Sequence, residues 1–148
     1  MSDEARTARP PVSVEDRGLG GLQMLVTAGA ARFVADEDVA LGGLDLGPNP
    51  HELVAAGLGA CTTMTLRLYA QRKGWPLGRV DVSVTWERQA AATPPDRFHR
   101  RIVIGGALDA EQVTRLLEIA EKCPVHRLLT AGAAIDTAMT HDPAASGG

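Results

Sequence analysis

The chain has 148 residues, 45% of them apolar, with a formal net charge of −3 and a pI near 5.8. That length suits one domain with one filled core, and its fifteen Lys and Arg are scattered rather than gathered into the basic stripe that nucleic acid requires. Aromatic residues make up only 3%, which argues against base-stacking and carbohydrate platforms, and Ala, Val, Leu and Gly must fill the interior.

The opening MSDEARTARPP is polar and Pro-bearing, with no charged start and apolar run of a targeting signal. Residues 1–11 are therefore expected to be a mobile arm on a cytoplasmic protein, with a single domain over 12–140 and a disordered tail, HDPAASGG, over 141–148. Short β-favouring runs follow at Val12 to Glu15, Leu22 to Thr27 and Arg32 to Ala35, broken by Gly18 to Gly21 and Ala28 to Ala31. These predict two or three antiparallel strands.

GGLDLGPNP, Gly42 to Pro50, is a loop that ends in a helix-start signal. Asn49 suits an N-cap, Pro50 the first helical position, and Glu52 the acid of a capping box. The helix is expected to run to Lys73, with Arg67, Arg72 and Lys73 toward its C-terminus and Gly74 just beyond. Leu53 to Leu66 is its longest charge-free apolar stretch, shorter than the roughly 18 residues of a membrane span. Apolar or small on every side, it predicts a central helix enclosed by other elements. One small sheet covers one face, so enclosure points to a second subunit and a homodimer.

Val80, Val82, Val84 and Trp86 alternate with polar residues, the clearest strand in the chain. Ala91 to Arg97 turns it into a second strand, Phe98 to Ile104, whose apolar phase is Phe98, Ile102 and Ile104. Arg100 shares that phase and is expected at a sheet edge or paired with an acid. Asp109 and Gln112 make a second capping box, and Val113, Leu116, Leu117 and Ala120 recur at helical spacing. Pro124 ends that helix near Cys123 and opens a short one to about Leu129, leaving Cys123 near its N-cap. A last strand is predicted over Ala134 to Met139. The order strands, helix, hairpin, helix pair, strand is an α+β arrangement.

Two cysteines in a reducing compartment are either quiet core residues or redox-active ones. Cys123 lies where helix N–H groups favour a thiolate. Cys61 lies about 16 Å from its helix start at roughly 1.5 Å per residue, so any activation must come from side chains, an arginine above all. Zinc is disfavoured although His51, Cys61, Cys123 and His126 are all ligand types, because His51 and Cys61 are separated by about 15 Å of helix. No phosphate loop, dinucleotide fingerprint or nucleophile elbow is present.

GPNPHELVAAGLGACTTMTLRLYAQRKGWPL, Gly47 to Leu77, and EIAEKCPVHRLL, Glu118 to Leu129, resemble the two signature segments of the OsmC/Ohr superfamily. The resemblance extends from about Leu22 to Thr140. In TTMTLRLYAQRKGWPL and KCPVHR it is closer to the OsmC-like branch than to the Ohr hydroperoxide reductases. It implies antiparallel sheets wrapped around central helices in an intertwined homodimer, with no bound cofactor or metal. It also implies that Cys61 attacks an organic hydroperoxide to become a sulfenic acid. Cys123 then resolves it as a disulfide, and an external dithiol such as a dihydrolipoyl group restores both thiols. The Ohr members carry glutamate immediately after the Asn-Pro pair to orient a catalytic arginine; here that position is His51 and the acid follows at Glu52. Arg17 and Arg32 are the arginine candidates by region. A non-catalytic dimer binding an apolar small molecule or a partner protein, and a thiol redox sensor, are the rival expectations; neither nucleic acid nor membrane is expected as a partner.

Overall fold

Asp36 shows how the sequence builds the first part of the chain. Only 2% exposed, its carboxylate would be costly to bury without partners, and it gathers four. Oδ1 accepts from Gln23 Nε2 and Glu37 N, and Oδ2 accepts from Leu44 N at 3.2 Å and Leu46 N at 3.1 Å. The glycine-rich loop is therefore folded back on the end of the strand that precedes it.

The computed structural model describes residues 9–16 and 20–144; the rest of the expected arm and tail, residues 1–8 and 145–148, lies outside the described residues. The chain divides into two compact units, one made of the chain before Val54 with the residues after Ile135, the other Val54–Ile135.

In the first unit β1 (Ser13–Asp16), β2 (Met24–Ala28) and β3 (Ala31–Ala35) form an antiparallel meander. Val14 stands opposite Val26, and Val26 opposite Phe33. The β2–β3 turn needs a positive φ, and Gly29 supplies it at 61°. A 3₁₀ turn, Val39–Leu41, follows, closed by Gly42 at φ 97°. The helix α1 (Pro50–Lys73) then begins with the expected capping box: Glu52 N donates to Asn49 Oδ1 at 2.8 Å, and Asn49 N donates to Glu52 Oε1 at 3.0 Å.

In the second unit the buried residues of α1 are Leu58, Thr62, Leu66 and Ala70, four apart and so on one face. By length and apolarity α1 could cross a bilayer, but this face is committed to a core. Among the described residues of the single chain the opposite face of α1 is uncovered, with Val54 41%, Met64 59% and Leu68 40% exposed. A two-stranded sheet leaves that far side open. The strands β4 (Leu77–Arg88) and β5 (Asp96–Gly106) form this antiparallel hairpin, with Val84 opposite Arg100 and Val82 opposite Ile102. Helix α2 (Ala110–Ala120) starts at the Asp109–Gln112 box, and α3 (Pro124–Ala131) follows at once.

The core joins Leu66, Ala70, Leu77, Leu116 and Ala120, with Val80, Ile102 and Ile104 packed against it. Burying Leu66 or Leu116 contributes about 2–3 kcal/mol of hydrophobic free energy each. Arg67 donates to the carbonyls of Leu77 and Gly78, fastening α1 to the start of β4. The strand expected over Ala134 to Met139 does not form: this segment has no ladder partner among the described residues and is exposed throughout, Ile135 at 86% and Met139 at 92%.

Candidate active site

Pro124 lacks an N–H and cannot extend α2, so the backbone turns at Cys123 and restarts as α3. Cys123 becomes the N-cap, at φ −64° and ψ 147°, with its side chain accepting from the third residue of the helix. That bond is His126 N–H to Cys123 Sγ, 3.3 Å. The sulfur is fully buried.

From β5, the arginine on the apolar phase reaches the same sulfur. Arg100 Nη1 donates to Thr62 Oγ1 at 2.9 Å and approaches Cys123 Sγ at 3.9 Å. Its other terminal nitrogen, Nη2, donates to His126 Nδ1 at 3.0 Å and lies 3.8 Å from Glu121 Oε1. Glu121 Oε2 in turn is 3.4 Å from His126 Nε2. The expected pairing of Arg100 with an acid is present, but it is only part of what the side chain does.

Donor and acceptor rules fix the protons in this cluster. A guanidinium has no acceptor, so His126 Nδ1 must be bare and the ring hydrogen sits on Nε2, facing Glu121. Thr62 Oγ1 donates to Leu58 O at 2.7 Å, so its oxygen is left to accept from Arg100. The same oxygen is 3.8 Å from Cys123 Sγ. With its single hydrogen directed at Leu58, Thr62 does not donate to the sulfur; Arg100 and the His126 amide do. The guanidinium bond is the charge-assisted one of the two, a kind generally stronger than a neutral bond.

Cys61 precedes Thr62 on α1, its side chain rotated by about 100° around the helix. It is half-buried, with Thr65 Oγ1 3.9 Å from its sulfur. Both thiols are free, and the residue next to one touches the other. In the second unit the arginine that reaches a sulfur is Arg100, and that sulfur belongs to Cys123.

The remaining sequence-derived candidates belong to the first unit or lie outside the described residues. His51 and Glu52 are exposed on the first turn of α1, where the Glu52 carboxylate is engaged by the Asn49 amide. Arg32 is exposed on β3 opposite Thr27. Arg17 lies outside the described residues. Sequence reasoning missed Thr62 and Glu121, considered His126 only as a metal ligand, and undervalued Arg100. The available signal was an arginine on the buried phase of a strand. Among the described residues no three His, Cys, Asp or Glu are grouped to hold a metal ion.

The family model for OsmC-like protein matches residues 42–138, a span that contains both cysteines and Arg100. The chain belongs to the OsmC family. None of the curated proteins compared with it matches. Solved OsmC-family structures do. An OsmC-like protein from Mycoplasma pneumoniae has a TM-score of 0.69 at 17% identity, covering 84% of this chain and 89% of that one. An organic hydroperoxide resistance protein OsmC from Legionella pneumophila gives 0.60 at 21%, covering 83% and 91%. An organic hydroperoxide resistance protein from Elizabethkingia anophelis gives 0.60 at 23%, covering 82% and 89%. The α+β fold of antiparallel sheets and helices is thus that of the OsmC family.

Proposed function

We propose that this OsmC-family chain is a thiol-dependent peroxidase that reduces organic hydroperoxides, with Cys61 as the attacking sulfur and Cys123 as the resolving one. The observation that carries the reading is the contact of Thr62, the residue after Cys61, with the sulfur of Cys123. It is supported by two relatives of the same fold that are named for organic hydroperoxide resistance.

The half-buried Cys61 thiolate attacks the outer peroxide oxygen, the O–O bond breaks, and the alkoxide leaves as an alcohol after taking a proton. Cys61 is then a sulfenic acid. Cys123 attacks its sulfur, expelling hydroxide as water and closing a disulfide, which an external dithiol such as a dihydrolipoyl group reduces back. The apolar α1 environment favours an organic peroxide over hydrogen peroxide. The working form is a cytoplasmic homodimer in which the open face of α1 at Val54, Met64 and Leu68 is covered by a second copy.

One equivalent of cumene hydroperoxide, followed by mass spectrometry, tests this reading. A Cys61–Cys123 disulfide with one equivalent of cumyl alcohol is expected. Two unchanged thiols and unconsumed peroxide would defeat it.

A second reading is favoured by Glu52, whose carboxylate is occupied at the helix cap, and by a Cys61 sulfur that neighbours a threonine hydroxyl. In that reading the chain is a redox sensor, or a non-catalytic dimer that binds an apolar small molecule or a partner. Reversible oxidation without turnover under a dithiol reductant would mark the sensor; unaltered ligand or partner binding after both cysteines are changed to serine would mark the binding protein.

A further inference from the structure

We infer that Arg100 is a positioning residue for Cys123: held by Thr62, His126 and Glu121, it presents Cys123 as the nucleophile that closes a disulfide with Cys61. The inference concerns the second step of the reaction proposed above but does not require peroxide as the oxidant.

The guanidinium is almost entirely buried, its side chain 9% exposed, and burial of a charge is costly unless it is paired and hydrogen-bonded. Its partners come from two directions. On α1, Thr62 Oγ1 accepts at 2.9 Å; at the α2–α3 corner, His126 Nδ1 accepts at 3.0 Å and Glu121 Oε1 lies at 3.8 Å. Those partners leave one edge of the fork toward Cys123 Sγ at 3.9 Å. The His126 amide approaches the sulfur at 3.3 Å through the helix restart. An uncharged structural arginine substitute would fill the volume, but it would not supply charge beside a sulfur that has to carry an electron pair into the attack. No comparable set of donors surrounds Cys61 within this unit, so the two thiols are differentiated by their surroundings as well as by exposure.

A chromogenic aromatic disulfide, dithiobis(nitrobenzoate), separates the two steps. The accessible Cys61 thiolate displaces one nitrothiophenolate and forms a mixed disulfide. Cys123 then attacks the Cys61 sulfur, forming the protein disulfide and releasing the second nitrothiophenolate, with each thiol proton passing to solvent. The two releases are followed by their visible absorbance in the full chain, with Cys123→Ser as the control that stops after one.

Arg100→Met is expected to slow the second release by at least about tenfold while the first keeps its rate, and Arg100→Lys to recover part of the loss. Thr62→Val, which keeps shape and removes the hydroxyl that steers Nη1, is expected to slow the same step and serves if Arg100→Met does not fold. An unchanged second release in the folded variants, or a fall in both releases together, would overturn the assignment. A chain that consumes no hydroperoxide yet shows this split would defeat the peroxidase reading and leave the role of Arg100 standing.

Discussion

Arg100 Nη2 donates to His126 Nδ1 across 3.0 Å, and this bond determines which nitrogen of the imidazole carries its hydrogen. His126→Phe keeps a ring and removes the acceptor, leaving one arginine N–H without that partner. A stability loss of about 1–3 kcal/mol is expected, read from urea unfolding midpoints. His126→Gln, whose side-chain oxygen restores an acceptor, is expected to lose less.

Cys123→Ser is expected to interrupt the proposed catalytic cycle rather than prevent its start. One hydroperoxide should be consumed per Cys61, after which a sulfenic acid accumulates and forms an adduct with dimedone. Continued peroxide turnover in that variant would exclude Cys123 as the resolving thiol.

Acid should weaken the first unit through Asp36. Burial acts to raise its carboxyl, but hydrogen bonds from Glu37 N, Leu46 N, the Gln23 side chain and Leu44 N outweigh it and hold the group below the ordinary carboxylate value. A depressed folded-state value means that the stabilisation is complete above the unfolded value of about 3.9 and disappears as pH falls through the folded one. Asp36→Asn should therefore be less stable than the parent at neutral pH, with the gap closing in acid. Thermal midpoints measured from about pH 7 down to about pH 2.5 check this.

Leu66 is 1% exposed at the centre of the core that α1 shares with α2 and β4. Leu66→Ala should cost about 2–5 kcal/mol, and Leu66→Met less than about 1.5 kcal/mol. Denaturant midpoints distinguish a packing loss from a general intolerance of substitution.

The homodimer proposal makes a separate demand on α1. Lysines introduced together at Met64 and Leu68, both exposed in the single chain, should shift the sedimenting species from two copies to one without loss of helical circular dichroism. A parent chain that sediments as a monomer across micromolar concentrations would count against the pairing.

Much of the fold was legible because its elements are local. The alternation of Val80 to Trp86 predicted β4, and the boxes Asn49–Glu52 and Asp109–Gln112 located two helix starts, since each depends on residues a few positions apart. Cys123 as an N-cap was legible for the same reason, from the proline that follows it. The cluster around it was not, because Thr62, Arg100 and Glu121 are far apart in sequence and no short-range pattern links them. Arg100 was visible as an oddity on a buried phase, but its several partners are a property of tertiary packing. The failed strand over Ala134 to Met139 shows the converse: a weak local preference formed no ladder among the described residues.

The grip of Asp36 on two amides of the loop leading into α1 sets a strict length requirement. Leu44 and Leu46 present their N–H groups to one carboxylate oxygen, so inserting or deleting a single residue between 37 and 43 would slide both amides out of register. This stretch acts as a measured spacer: side chains pointing outward can vary, while a change of one peptide unit would misplace the entry to the long helix.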